Sequence, residues 1–311
     1  MQDFRGRLSS MVDNVEKVIV GKRDVIELAF VTLLCRGHLL LEDVPGLGKT
    51  MLARAISGSL ALRFKRVQFT PDLLPSDITG VSIYNQKQND FEFRHGPVFT
   101  NILLADEINR TTPRTQSSLL ECMEEYQVTV DGSTYPLSGV FMVIATQNPI
   151  ELQGTFPLPE AQLDRFFMRI RIGYPSIEQE MTILSMQMQD HPIHTLAPVA
   201  TEADLFRLQE AAKMIFISEA VKRYIVEITS ATRKHPQLQL GASPRGSLGL
   251  MRAGQAMALI KGLDFVDPSL IKIIAKPVLS HRIIVRPQAR LGGVTAEKVI
   301  DEVLDSVTVP V

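Results

Sequence analysis

A short segment near the start of the chain, LLLEDVPGLGKT at residues 39–50, most constrains what this sequence can fold into. An apolar run comes first, a glycine-rich turn follows, and a helical pattern comes last. A strand, a tight turn and a helix in this order leave backbone N–H groups and a helix N-terminus facing a bound anion. The segment therefore predicts a phosphate-binding loop between a buried strand and a helix.

The end of this loop matches the pattern GxxxxGK[ST], in which the lysine reaches the β- and γ-phosphates of a nucleotide and the hydroxyl residue ligates Mg²⁺. A chance glycine-rich turn is the alternative. The first glycine of the strict pattern is Asp43 here. Aspartate is one of the few residues besides glycine that tolerate the left-handed backbone conformation, so we expect the loop to form with Asp43 at this position. The residues predicted to contact nucleotide are Pro45, Gly46, Leu47, Gly48, Lys49, Thr50 and Met51.

Two adjacent carboxylates, Asp106 and Glu107, follow the apolar run NILLA. Such a pair at the end of a buried strand is costly unless it meets a cation or solvent, and ligands bind at the carboxyl edge of parallel sheets. We predict that Asp106, with Thr50, holds Mg²⁺ and that Glu107 acts as the general base on water. Asn148, after another strand, can bond the γ-phosphate and that water. The alternatives are a strand that ends on solvated acids and an ordinary Asn–Pro turn.

The pattern of apolar residues differs between the two halves of the chain. From about residue 38 to 173, short apolar runs alternate with helical patterns, which is typical of a parallel sheet with crossover helices. Further on, apolar residues recur at helical spacing. We therefore predict an α/β nucleotide-binding domain over residues 1–175 and an α-helical domain over residues 176–311, with Ser176 capping the first helix of the second domain.

Two segments of the first domain are predicted to be insertions that decorate the sheet. Residues 71–99 contain strand candidates at 81–84 and 91–94. Residues 127–137, QVTVDGSTYPL, alternate around Asp131–Gly132, which is a strong hairpin signal.

Composition restricts the class of protein. The 311 residues carry 33 Lys and Arg against 34 Asp and Glu, so the net charge of -1 argues against a generally basic nucleic-acid-binding surface. The longest apolar run, Leu28 to Cys35, is far shorter than the roughly 20 residues that span a bilayer. Two cysteines, Cys35 and Cys122, cannot staple a chain this long, and no signal-peptide layout is visible. We expect a soluble, cytoplasmic protein.

Several arginines carry weaker signals. Arg165 lies at a predicted helix end and Arg245 at a predicted helix start. Each is either a surface residue or a group that stabilises charge during phosphoryl transfer. Arg63, Lys65 and Arg66 form a basic cluster that we interpret as a solvated strand edge.

Four segments together resemble the MoxR family of AAA+ ATPases. They occur in the family's order, cover both halves of the chain, and read LLLEDVPGLGKT, ADEINRTTPRTQSSLLECMEE, VIATQNPIELQGTFPLPEAQLDRFF and GASPRGSLGLMRAGQAMALIKG. The resemblance implies a five-stranded α/β domain with strand order 5-1-4-3-2 and a helical lid. It also implies an enzyme that hydrolyses ATP with Mg²⁺.

The resemblance assigns further site residues. It implies that Asn148 is sensor 1 and that Arg165 is an arginine finger acting across a subunit interface. It implies that Arg245 is sensor 2 and holds the phosphates together with Lys49. It also suggests that Val20 and Gly21 line the adenine pocket, for which the alternative is an ordinary helix-start turn.

The resemblance further implies a homo-oligomeric, hexameric ring that acts as a chaperone on partner proteins, often ones with von Willebrand factor A domains. A ring-shaped DNA motor is the alternative, because similar insertions occur in ring helicases. Hairpin 127–137 has no lysine or arginine, however, whereas a hairpin that follows phosphates should be basic. A scaffold that binds ATP without turnover is a third reading, against which the intact Lys49, Asp106, Glu107 and Asn148 argue.

Overall fold

A five-stranded parallel sheet forms the centre of the N-terminal half. The structure, a computed structural model, describes residues 2–87, 89–149, 154–188 and 191–310. The strands in chain order are β1 (Leu39–Glu42), β2 (Phe64–Gln68), β3 (Gly80–Asn85), β4 (Asp90–His95), β5 (Ile102–Asp106), β6 (Gln127–Val130), β7 (Ser133–Pro136), β8 (Met142–Gln147), β9 (Met168–Ile170), β10 (Leu238–Leu240) and β11 (Ile284–Val285).

The strands of the central sheet lie in the order β9-β1-β8-β5-β2, and every pair is parallel. Counted along the chain, these are the fifth, first, fourth, third and second strands of that sheet, so the strand order implied by the resemblance is confirmed. β1, β5 and β8 are buried along almost their whole length. Their unbroken apolar runs follow from the burial of a parallel sheet on both faces.

Helices cover this sheet and form most of the C-terminal half. In chain order they are α1 (Gln2–Glu16), α2 (Arg23–Leu34), α3 (Lys49–Ser59), α4 (Pro75–Thr79), α5 (Pro113–Glu125), α6 (Glu160–Leu163), α7 (Ile177–Gln187), α8 (Glu202–Lys213), α9 (Glu219–Lys234), α10 (Pro244–Ile260), α11 (Pro268–Leu279), α12 (Pro287–Leu291) and α13 (Ala296–Ser306). Ser176 caps α7 as predicted, because its Oγ accepts the N–H of Gln179 at 3.3 Å. The division into domains at residue 175 stays a proposal.

The pairing of β10 with β11 was not anticipated. This antiparallel pair joins two helical segments of the C-terminal half. Its strands have three and two residues, which is too short for a period of two to be recognised in the sequence. No described helix is long and apolar enough to cross a membrane.

The apolar core lies on both faces of the sheet. One cluster joins α1 and α2 to α10 and α11, so helices of the two halves share buried residues such as Leu33, Ala253 and Ile274. The other cluster lies between the sheet and α5 and includes Leu119 and Phe166. The C-terminal helices are therefore packed directly against the N-terminal half.

Both predicted insertions contain a hairpin, which was expected for residues 127–137, whereas only two separate strands were expected within residues 71–99. β3 pairs with β4, and β6 pairs with β7, each antiparallel. Asp131 and Gly132 connect β6 to β7 with φ of 51° and 78°, the positive values that a type I′ turn requires. The two hairpins touch each other, since the rings of Phe93 and Tyr135 stack with centroids 4.2 Å apart.

A buried histidine fixes the start of β1. The Nδ1 atom of His38 accepts the N–H of Val143 in β8 at 2.9 Å. Its Nε2–H donates to the carbonyl of Met123 in α5, also at 2.9 Å. Only the neutral ring can make both bonds, because a charged ring has no acceptor. Burial lowers the pKa of His38 to about 4.

This histidine should make stability depend on pH. In the unfolded chain it takes up a proton near pH 6.5, whereas the folded protein resists protonation down to about pH 4. The unfolded state therefore gains protons first as the pH falls. We expect the free energy of unfolding to drop by about 1.4 kcal/mol, from this residue alone, between about pH 8 and about pH 5.5.

The check is urea unfolding of the protein and of His38→Gln at both pH values. A glutamine amide can still donate and accept but does not titrate. The variant should therefore lose less stability than the parent on acidification, by the amount given above. An equal loss in the two proteins would contradict the prediction.

Candidate active site

A cleft of about 390 Å³ opens at the carboxyl ends of β1, β2, β5 and β8. This is the edge at which ligands bind in parallel α/β sheets. The cleft brings together most of the residues predicted from the sequence, but not Leu47, Val20, Gly21, Arg165 or Arg245. Its lining residues are Pro45, Gly46, Gly48, Lys49, Thr50, Met51, Arg66, Gln68, Asp106, Glu107 and Asn148.

The phosphate-binding loop has the geometry that an anion needs. Gly46 and Gly48 have φ of 86° and 83°, in the left-handed region that favours glycine. α3 begins at Lys49, and Gly48 at its N-cap has no side chain to cap the first turn. The first N–H groups of α3 thus lack intrahelical partners. A phosphate group fits this position, where the helix dipole also favours negative charge.

Asp43 anchors the loop in a way that the sequence did not indicate. The loop forms without the left-handed conformation that was considered for Asp43, since the φ of Asp43 is not positive. The residue is buried, and its carboxylate accepts the N–H groups of Ile172 and Gly173 beyond β9. Its carbonyl accepts Nζ of Lys49. An aspartate is therefore suited to this position because it ties the loop to the end of β9.

The predicted pair of carboxylates is held by Thr146 at the end of β8. The hydroxyl of Thr146 donates to Oδ1 of Asp106 at 2.7 Å and accepts the N–H of Glu107 at 2.8 Å. Glu107 has φ of 57° and ψ of 51°, a left-handed conformation that is uncommon outside glycine. Burial lowers the pKa of the neighbouring Lys49, whereas the charges of Asp43, Asp106 and Glu107 act to raise it.

Three residues of the site were missed or misread in the sequence. Arg66 was interpreted as part of a solvated strand edge, but its guanidinium bonds Oδ2 of Asp106 through Nη2 at 2.7 Å and Nε at 3.1 Å. Gln68 donates to Oε2 of Glu107 at 2.8 Å. Arg110 approaches the same oxygen at 3.2 Å. Strand order 5-1-4-3-2 could have revealed the first two, because it places the end of β2 beside Asp106.

The segment with Val20 and Gly21 lies next to the loop without lining the cleft. Ile19 is the side chain closest to Gly48, with Cδ1 3.9 Å from where a Cβ would be. The carbonyl of Gly21 accepts Nε2 of Gln179 in α7 at 3.0 Å. The segment is thus held between the loop and the first helix of the C-terminal half, a position compatible with the predicted adenine pocket.

Arg165 and Arg245 lie together, apart from Lys49. Nε of Arg165 is 3.1 Å from Oε2 of Glu124, and Nη1 of Arg245 is 3.7 Å from Oε1 of the same carboxylate. Both arginines line a second cleft of about 300 Å³. The resemblance implied that Arg245 and Lys49 hold the phosphates together. Within a single chain, however, the two side chains line separate clefts.

Comparisons with known proteins agree with this architecture. Residues 38–168 match the model of the ATPase family associated with various cellular activities (AAA), and residues 230–303 match the AAA lid domain. A protein of Cytophaga hutchinsonii described as a candidate ATPase has a crystal structure that superposes with a TM-score of 0.93 at 39% identity, covering 100% of this chain and 97% of that chain. Fold and site thus define an AAA+ ATPase with a helical lid.

The relatives narrow this class to one family. YeaC, an uncharacterized protein of Bacillus subtilis, is 53% identical over 100% of this chain and 97% of its own length. Chaperone MoxR1 of Mycobacterium tuberculosis is 42% identical over 97% of this chain and 82% of its own length. The chain belongs to the MoxR family of chaperone-like AAA+ ATPases.

Proposed function

We propose that the protein hydrolyses ATP with Mg²⁺ in a ring, and that each active site is completed by a neighbouring copy of the chain. One observation carries this proposal. Lys49 and Glu107 lie in the phosphate-loop cleft, whereas Arg165 and Arg245 converge on Glu124 outside it. Two arginines gathered on one surface, away from their own cleft, suit delivery to the cleft of another subunit.

Each residue of the cleft has a separate role in ATP binding or hydrolysis. Lys49 and the N–H groups of the loop bind the β- and γ-phosphates. Thr50 and Asp106 hold Mg²⁺, which neutralises phosphate charge when bound. Glu107 takes a proton from the attacking water, and Asn148 orients that water. Adenine is placed beside Val20 and Gly21.

The neighbouring subunit provides the remaining positive charge. Its Arg165 and Arg245 stabilise the charge that develops on the transferred phosphoryl group. Because they come from another chain, ATP turnover depends on assembly. Light scattering of the protein with ATP should give the mass of an assembly of several copies, six by resemblance. A protein that turns over ATP fully as a monomer would contradict the proposal.

Dependence on Mg²⁺ is tested by measuring phosphate release with Mg²⁺ and with an excess of chelator. We expect turnover only with the metal, because the charges of the triphosphate otherwise repel the carboxylates of the cleft. Thr50→Val should weaken the response to Mg²⁺ while leaving the fold intact. Equal turnover in the chelated sample would exclude the proposed metal role.

The work of the ring is proposed to be chaperone activity on a partner protein in the cytoplasm. Support comes from the family, to which a protein named as a chaperone belongs. Partners with a von Willebrand factor A domain are the class implied by the resemblance. Capture of partners on a Glu107→Gln protein loaded with ATP, followed by mass spectrometry, tests this class directly. A domain of that class should be enriched over a Lys49→Ala control.

Action on DNA is disfavoured by the structure of the second hairpin. β6 and β7 carry no lysine or arginine, so they offer no cation to a phosphate backbone. We expect single-stranded and duplex DNA at low salt to leave the ATPase rate unchanged. Strong stimulation by either DNA would favour a DNA motor instead.

A further inference from the structure

A buried arginine of the C-terminal half holds the segment that carries Arg165. Arg282 follows α11, and its side chain is only 3% exposed. Its Nε donates to Oδ1 of Asp164 at 2.8 Å. Its Nη2 donates to the carbonyl of Phe166 at 2.7 Å, and its Nη1 donates to that of Phe167 at 3.1 Å. One guanidinium therefore donates hydrogen bonds to the residue before Arg165 and to the two residues after it.

The residue before it strengthens the same link. His281 is buried, and its Nε2 donates to the carbonyl of Phe166 at 2.9 Å. Arg282 also donates through Nη1 to the carbonyl of Val278, one turn back in α11. The guanidinium is thus fixed to its own helix as well as to the segment 164–167.

The opposite side of that segment is fixed to the central sheet. The N–H of Phe167 donates to the carbonyl of His38, at the start of β1, at 2.8 Å. The side chain of Phe166 is fully buried in the cluster beside α5. Arg165 is therefore a partly exposed side chain on a backbone clamped between the sheet and the lid.

Asp164 also connects the two arginines that we assign to the neighbouring site. Its Oδ1 bonds Arg282, and its Oδ2 lies 3.9 Å from Nε of Arg245 at the start of α10. Loss of the carboxylate partner of a buried cation is strongly destabilising, because it leaves an uncompensated buried charge. The pair is thus a strong tie between the lid and the segment with Arg165.

We propose that Arg282 is a positioning residue, which couples the orientation of the lid to the placement of Arg165 in the active site of the neighbouring subunit. This inference rests on the proposed function, because it requires Arg165 to act across an interface. Arg282 does not line the cleft with Lys49. It sets where the backbone on both sides of Arg165 lies, and a misplacement of about 1 Å can cost about 10²-fold in rate.

The test is Arg282→Lys, which keeps the charge but loses the planar set of donors. We expect kcat for ATP to fall about 10- to 100-fold, with KM changed less than about two-fold, because the cleft with Lys49 is intact. Arg286→Lys is the matched control, since Arg286 donates to the carbonyl of Pro236 within the C-terminal half. The control should retain parental kcat. If Arg282→Lys fails to fold, Asp164→Asn removes the other partner of the same pair.

Mixed oligomers separate positioning from general damage. Subunits with Glu107→Gln have a defective cleft and an intact Arg165, and Arg282→Lys subunits should have the reverse. An equal mixture should recover about a quarter of the parental rate, since about one interface in four combines the two intact parts. A mixture of Arg282→Lys with Arg165→Ala should recover nothing, because neither subunit supplies a placed arginine.

The proposed function and this inference fail in different ways. A mixture of Arg165→Ala with Glu107→Gln that gains no activity would remove the trans role of Arg165 itself. Rescue in that mixture, but not in the one with Arg282→Lys, would show that Arg282 acts on its own cleft or only on folding. Unchanged kcat in Arg282→Lys would also overturn the positioning role.

Discussion

Glu107→Gln should bind ATP as tightly as the parent protein but lose its turnover. A general base contributes about 10²–10⁴-fold to a rate, and we expect a loss of that size in kcat. The amide has the shape of the carboxylate and can still accept from Gln68, so the cleft should keep its form. Phosphate release gives the rate, and calorimetric titration gives the affinity. The chain has no tryptophan to report binding.

The control variant for Glu107→Gln must remove one carboxylate at a position outside the cleft. Glu219→Gln makes the same change of charge on α9, at a side chain that is 89% exposed and paired with Lys222. Its kcat should equal that of the parent. If Glu107→Gln turned over ATP at the parental rate, Glu107 would not be the base, and another residue of the cleft would have to activate water.

Arg165→Ala should have the other large effect. An arginine finger contributes about 10³–10⁵ to the rate of phosphoryl transfer, so we expect kcat to approach background. ATP binding should remain, because Arg165 does not line the cleft with Lys49. The loss should be repaired in trans: mixing with Glu107→Gln subunits should restore interfaces that have both Glu107 and Arg165.

Arg171→Ala is the matched control for this arginine. Arg171 lies just beyond β9, is 60% exposed, and pairs with Glu42 at 2.8 Å. This variant tests whether the removal of any arginine in this region causes the same loss of kcat. A large loss of kcat in Arg171→Ala, with a small loss in Arg165→Ala, would identify Arg171 as the arginine finger instead. Failure of the mixture, after exchange of subunits has been verified by native mass spectrometry, would exclude a role of Arg165 across the subunit interface.

Much of the candidate site could be predicted because its signals are local. The loop around Lys49 is a continuous segment, and its strand and helix are encoded by neighbouring residues. Asp106, Glu107 and Asn148 each end an apolar run, which marks the carboxyl end of a buried strand. Parallel strands align these ends at one edge, so knowledge of the strands was sufficient to expect the residues together.

Contacts between distant segments could not be predicted in the same way. Arg66 meets Asp106 because β2 pairs with β5, although the two residues are 40 positions apart. Asp43 was interpreted through its own backbone, yet its carboxylate serves the end of β9, 129 positions away. Such partners depend on which elements pack side by side, and hydrophobic periodicity reports only whether a face is buried.

The sequence by itself was sufficient to predict the phosphate-binding loop, the central strands with their insertions, and the residues gathered in the phosphate-loop cleft. These follow from the local order of apolar, glycine and charged residues, whereas the class of the protein was indicated by the resemblance of four longer segments to a known family. The tertiary structure decided that Arg245 joins Arg165 rather than Lys49, and that Arg282 holds Asp164 from 118 positions away. The physical reason is that an arginine carries the same charge wherever it lies. Its role is set by the carboxylate and carbonyl groups that packing brings within hydrogen-bond distance.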